Sequence, residues 1–104
     1  MFAKSVSALS KGRTVKGLFG GVGKRDFRAA VVFHGNGVYD GTETTEAVAL
    51  LVGLSRLGAD VQVFAPDRAQ AHTVNHLNGE EQSVQRNCME ESARIARGNV
   101  KDMD

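Results

Sequence analysis

Several things are scarce in this chain, and each scarcity excludes a class. A single cysteine, Cys88, in 104 residues rules out an internal disulfide framework and a multi-cysteine zinc site. Aromatic residues make up 6% of the chain and do not interleave with the basic ones. With no nucleic-acid-binding motif either, no nucleic-acid partner is expected. No apolar run approaches the roughly 20 residues of a membrane span, so no membrane partner is expected. Stability must therefore come from an apolar core, in a chain that is at most one small domain.

Acidic residues are almost missing from one end. Residues 1–28 hold seven Lys/Arg against Asp26 alone, a net +6, while residues 29–104 hold six against eleven, a net −5. A basic, Ser- and Gly-containing segment ahead of an acidic body reads as a mitochondrial transit segment. Phe2, Val6 and Leu9 fall on one helical stripe, as a short cationic amphipathic helix requires. A disordered basic tail or nucleic-acid arm is the alternative. The expected division is a leader over 1–28 and an α/β domain over 29–104.

In the body, residues 29–33 (AAVVF) form a β-branched apolar run, read as a buried parallel strand. Residues 42–57 carry Ala47, Leu50, Leu51, Leu54 and Leu57 at helical spacing, with Asp40 and Glu43, or Thr42 and Thr45, able to cap the first turn and Gly58 as the stop. Residues 61–64 make a second strand, ended by Pro66. This βαβ order predicts parallel strands and a right-handed crossover. Residues 67–81 lack periodicity and read as a loop with one helical turn. Residues 83–97 return to helical spacing, with Val84, Cys88, Ser92, Ile95 and Ala96 near one face. The expectation is thus βαβα, with two strands, which is too little sheet to stand alone.

The turn after the first strand, His34-Gly35-Asn36-Gly37-Val38-Tyr39-Asp40-Gly41, has the glycines that permit close backbone approach beside a helix N-terminus. A dinucleotide fingerprint would need glycine where Asp40 stands, and no Gly-Lys-Ser/Thr follows, so no nucleotide cofactor is expected. A ligand site and a tight strand-to-helix turn both remain open readings. Glu43 and Glu46 lie on the helix's first turn at the sheet edge where open α/β sheets collect ligands. Helix-dipole pairing explains Glu43, whereas Glu46, just before Ala47 and Val48, suggests a partly buried carboxyl able to hold a proton. His72 and His76 stand four apart but without the glutamate of a metalloprotease helix, so no metal is expected. Cys88, expected within a helix and without a small-residue elbow, reads as a buried apolar side chain.

The strings Gly35 through Glu43 (GNGVYDGTE), Glu46-Ala47, Phe64-Ala65-Pro66-Asp67, Asn75-His76, Arg86-Asn87 and Glu91 through Gly98 (ESARIARG) resemble the ElbB-like family. Its animal members are mitochondrial and are called ES-one homologs. The family belongs to the class I glutamine-amidotransferase-like (PfpI) superfamily, so the resemblance implies the N-terminal βαβα half of a flavodoxin-like fold and a location in the mitochondrial matrix. Relatives resemble hydrolases and glyoxalases whose elbow cysteine is hydrogen-bonded by a first-helix glutamate. Glu46, twelve residues before Gly58, matches that glutamate, which makes it the implied catalytic residue, partner of a nucleophile. From the turn and the helix start at the sheet edge, Gly35, Asn36, Gly37, Asp40 and Glu43 are the candidate ligand-binding positions. The elbow cysteine belongs to the family's second half, and the usual Ser-Gly-Cys-Gly turn is replaced by His34-Gly35-Asn36-Gly37.

The expected function is therefore that of a truncated family member, inactive alone, whose full-length relatives act on small carbonyl compounds. The alternative is a binding module that completes its sheet by self-association or with a complementing chain.

Overall fold

The computed structural model describes residues 27–104. The expected leader helix and most of the expected leader lie outside the described residues.

Five strands and two helices follow in chain order: β1 (Arg28–Val32), α1 (Thr44–Arg56), β2 (Asp60–Ala65), β3 (Thr73–Asn75), β4 (Glu80–Gln82), α2 (Cys88–Ala96) and β5 (Val100–Asp102). Strands β1, β2 and β5 form one parallel sheet in the order β1-β2-β5. The register sets Val31 beside Val63, and Val63 beside Val100. The β1–α1–β2 unit matches the expected parallel pair. The expected count of two strands falls short of this sheet by one, because β5 takes only three residues and two of them are charged, leaving no apolar run to read. Strand β1 begins at Arg28, and the Phe27 carbonyl accepts the Asp60 amide, so the sheet starts at the last residues of the segment assigned to the leader.

Alternation along the strands decides where the core lies. Val31, Phe33, Val61 and Val63 point to one face and join Ala47 of α1 with Ile95 and Ala96 of α2 in a single buried cluster. Leu51, Leu54 and Val100 pack at its margin. On the opposite face Ala30 and Val32 of β1 are exposed, Val32 by 54%, and Phe64 is half-buried.

Helix boundaries follow the caps. Helix α1 starts two residues later than the spacing suggests, because Glu43 is extended and its carboxylate accepts the Glu46 amide as N-cap. Helix α2 starts five residues later than expected. Asn87 is its N-cap, accepting the Glu90 amide. The preceding residues are drawn into extended pairing, since Gln70 N–H donates to the Arg86 carbonyl and Cys88 N–H to the Arg68 carbonyl. Val84 is consequently outside the helix and exposed. Residues 67–81, expected as a loop with a helical turn, instead contain β3 and lead into an antiparallel β3–β4 hairpin, with Val74 opposite Glu81.

Candidate functional site

The strand-to-helix turn lies past the carboxyl end of β1, and its shape is enforced by steric fit. A Cβ on Gly41 would come within 2.7 Å of the Asn36 amide nitrogen and 2.9 Å of the Gly35 Cα, so the two limbs of the turn touch backbone to backbone. Gly35 adopts φ +120°, a region side chains rarely enter. Inside the turn, Gly37 N–H donates to the Thr42 carbonyl, while Asp40 and Gly41 N–H both donate to the Gly37 carbonyl.

Distant elements then fix the turn. The buried Ser92 hydroxyl on α2 accepts the Gly35 amide at 2.9 Å and donates to the Cys88 carbonyl at 2.6 Å. Buried Gln70 donates its amide to the carbonyls of Asp40 and His72. The Asp40 carboxylate is 7% exposed and accepts the Val74 amide of β3 at 2.8 Å. The Thr42 hydroxyl accepts the His34 amide, and the Thr44 hydroxyl donates to Asn36 Oδ1. The amides of His34, Gly35, Gly37, Tyr39, Asp40 and Gly41 all donate within the protein. Those six amides are therefore not an anion cradle, and the tight-turn reading accounts for them.

Gly35, Asn36, Gly37, Asp40 and Glu43 thus come together in one turn, and the polar contacts described for them are internal. The Glu43 carboxyl is held below the usual carboxylate range, first by the Glu46 amide and then by that of Thr45. Glu46, expected to be partly buried, is exposed. The buried stripe of α1 centres on Ala47, Leu51 and Leu54, and a residue one position before Ala47 is rotated about 100° off that stripe. Its carboxylate has no hydrogen-bond or ion-pair partner among the described residues, so it is available to whatever approaches the sheet edge.

Beside the turn is a cleft of about 380 Å³ lined by His34, Tyr39, Asp40, Gln70, His72 and Cys88, among others. Cys88 is buried, as expected, but it is the first residue of α2 and lines this cleft rather than sitting in mid-helix. No hydrogen bond joins its thiol to an imidazole among the described residues, so no nucleophile–base pair is assembled there. His72 and His76 flank β3, and no group of three or more metal-ligating side chains exists among the described residues. Sequence reasoning missed Gln70 altogether and read Ser92 only as a helix-face residue. Ser92 carried a usable signal, being a hydroxyl at a core-facing position that must find a partner.

The chain matches no protein-family profile. It is 54% identical over 77 residues to the human "Glutamine amidotransferase-like class 1 domain-containing protein 3, mitochondrial", a match covering 73% of this chain and 29% of that protein. The rat "ES1 protein homolog, mitochondrial" is 53% identical over 77 residues, again 73% of this chain and 29% of the relative. The zebrafish (Danio rerio) "ES1 protein, mitochondrial" is 46% identical over 70 residues, 66% of this chain and 26% of that one. The chain thus spans under a third of the length of these curated relatives. A crystal structure of an Ehrlichia chaffeensis isoprenoid biosynthesis protein with an amidotransferase-like domain superposes with a TM-score of 0.72 at 41% identity, covering 73% of this chain and 36% of that one. Its parallel βαβ core, its glycine turn and these relatives agree: over the part of the domain it spans, the chain belongs to the ES1, or ElbB-like, glutamine amidotransferase-like class 1 family.

Proposed function

We propose that this chain works in the mitochondrial matrix and contributes Glu46 and the 35–43 turn to a glyoxalase-like site for small carbonyl compounds. The nucleophile of that site comes from outside the described residues, and the 104-residue chain by itself is not a catalyst. The basic residues 1–28 and the relatives' mitochondrial names support the location. The observation that carries the chemistry is Glu46: a carboxyl on the first turn of α1, at the ligand-collecting edge of a parallel sheet, exposed and unpaired among the described residues. A carboxyl so placed can hydrogen-bond an incoming thiol and orient its sulfur at the sheet edge.

The test is Glu→Gln at the position of the human relative that aligns with Glu46, with glyoxal consumption and the pH dependence of thiol alkylation as readouts. Turnover should fall on the order of 100-fold and the thiol profile should move. Unchanged turnover together with an unchanged thiol profile would remove Glu46 from the chemistry. The 104-residue chain assayed in parallel should consume no glyoxal above the buffer rate.

A second reading rests on a different observation, the open sheet. The bare face around Val32 and Phe64, with unpaired edges at β1 and β5 among the described residues, supports a binding module completed by a second copy or by a complementing chain.

A further inference from the structure

The backbone of Tyr39 is held by imidazoles at both its amide and its carbonyl. His76 Nε2 lies 3.1 Å from the Tyr39 backbone nitrogen, and His76 Nδ1 lies 3.0 Å from the Val74 carbonyl oxygen. A backbone amide only donates and a carbonyl only accepts. His76 must therefore carry its proton on Nδ1 and leave Nε2 bare. His72 Nε2 lies 3.2 Å from the Tyr39 carbonyl oxygen, which requires a proton on that nitrogen. The two histidines thus hold the two peptide groups that flank the Tyr39 Cα, in opposite proton arrangements.

His76 has a second partner in waiting. Its Nε2 is 3.8 Å from Asp40 Oδ1, too long for a hydrogen bond but reachable by a small ring movement. The Tyr39 ring stacks on the same imidazole, with centroids 4.8 Å apart and an interplanar angle of 24°. A proton on Nε2 would set N–H against N–H at Tyr39 while creating a donor for the Asp40 carboxylate. The stacked Tyr39 face would tolerate the resulting cation. The amide contact and the carboxylate contact are mutually exclusive.

We infer that His76 is a positioning residue whose protonation switches the turn: neutral, it pins the Tyr39 amide and fixes the cleft wall, and protonated, it turns to Asp40 and releases the Tyr39 amide. The titratable groups facing it are Asp40 and Tyr39 from the turn, with His72 on the carbonyl side of Tyr39. From the hairpin, Glu80 pairs in register with Asn75, and Glu81 with Val74. The inference uses only the geometry of the turn and does not depend on the role of Glu46.

Long-range ¹H–¹⁵N spectra of the imidazoles, recorded on the labelled 104-residue chain, test this directly, whether the chain is a monomer or a dimer. At pH 8 His76 should show its proton on Nδ1 and His72 on Nε2, with His34 as the internal reference. Between pH 8 and 5 the Tyr39 amide should shift with the midpoint of the His76 ring. Its protection against hydrogen exchange should drop roughly tenfold, the loss of one hydrogen bond of ordinary net strength. His76→Gln keeps an acceptor but cannot titrate, so it should hold the Tyr39 amide constant across that range. An Nε2–H tautomer at His76 at pH 8, or a Tyr39 amide that stays still while His76 titrates, overturns the proposal. Both readouts are made on the unsubstituted chain, so neither depends on the variant folding.

Discussion

Ser92 shows how much a single hydroxyl can settle. It is fully buried, accepts the Gly35 amide from the turn 57 residues earlier and donates to its own helix at the Cys88 carbonyl. Replacing it by alanine removes both contacts and leaves the buried Gly35 N–H without an acceptor, at a cost of about 2 kcal/mol. For a domain of this size, Ser92→Ala should lower the thermal midpoint by roughly 10 °C. The Gly35 amide should also lose its exchange protection. A midpoint unchanged to within a degree or two would mean that water or a shifted turn satisfies the amide instead. Gln70 acts in the same way from another direction, tying the Asp40 and His72 carbonyls into one corner. Neither residue is itself placed to do chemistry. They decide where Asp40, Tyr39 and the neighbouring amides stand.

Helix α1 is set by its first turn and then by its stripe. Glu43 caps it through the Glu46 amide, and that contact holds the Glu43 carboxyl below its usual range near 4.5. A carboxyl whose folded pKa is depressed contributes stability above its unfolded value, and the contribution disappears as pH falls through the folded value. Urea midpoints of the chain should therefore decline as pH drops below about 4.5, with Glu43→Gln showing a shallower decline and a lower midpoint at neutral pH. Parallel pH curves for the two proteins would show that the cap carries no charge-dependent stability. The same first turn explains the exposure of Glu46, since a helix that buries Ala47, Leu51 and Leu54 cannot bury the residue just before them. Helix α2 is stitched to its approach in a similar manner. Asn87 caps it and also donates to Asp67, while Glu91 receives both Arg86 and Arg94. The residues that make the ESARIARG string distinctive are thus largely the ones that join helix, approach and turn.

At the scale of the whole fold, apolar surface is unevenly covered among the described residues. One sheet face carries both helices, while Val32 on the other is 54% exposed. The outward-facing Val48, Leu50, Val52 and Leu57 of α1 or its C-cap are exposed as well. A helix apolar on all sides is ordinarily buried on all sides. Stable interfaces cover about 800 Å² per partner, and a sheet face with an open edge is the kind of surface that recruits them. Sedimentation at micromolar concentration should accordingly show dimers or larger species, and Val32→Glu should weaken the association at least tenfold by burying a charge in the contact. A monodisperse monomer with cooperative thermal unfolding and a well-dispersed amide spectrum would rule out completion of the sheet by a second copy.

Periodicity alone determined β1, α1 and β2 and their parallel order, because Val, Leu and Phe repeat at the spacings that strands and helices need to bury one side. The glycine turn and the family strings were legible for the same reason: each is local and its residues are consecutive. The tertiary structure decided what depends on partners far along the chain. It made β5 a strand through pairing with β2, and it drew residues 73–82 into a hairpin docked on Asp40. It delayed α2 to Cys88 by pairing residues 68–70 with 86–88, and it turned His72 and His76 into clamps on the backbone of Tyr39. A polar side chain shows in the sequence that it can make a hydrogen bond. Which of many distant groups it meets is fixed only when the sheet and its helices have brought them together.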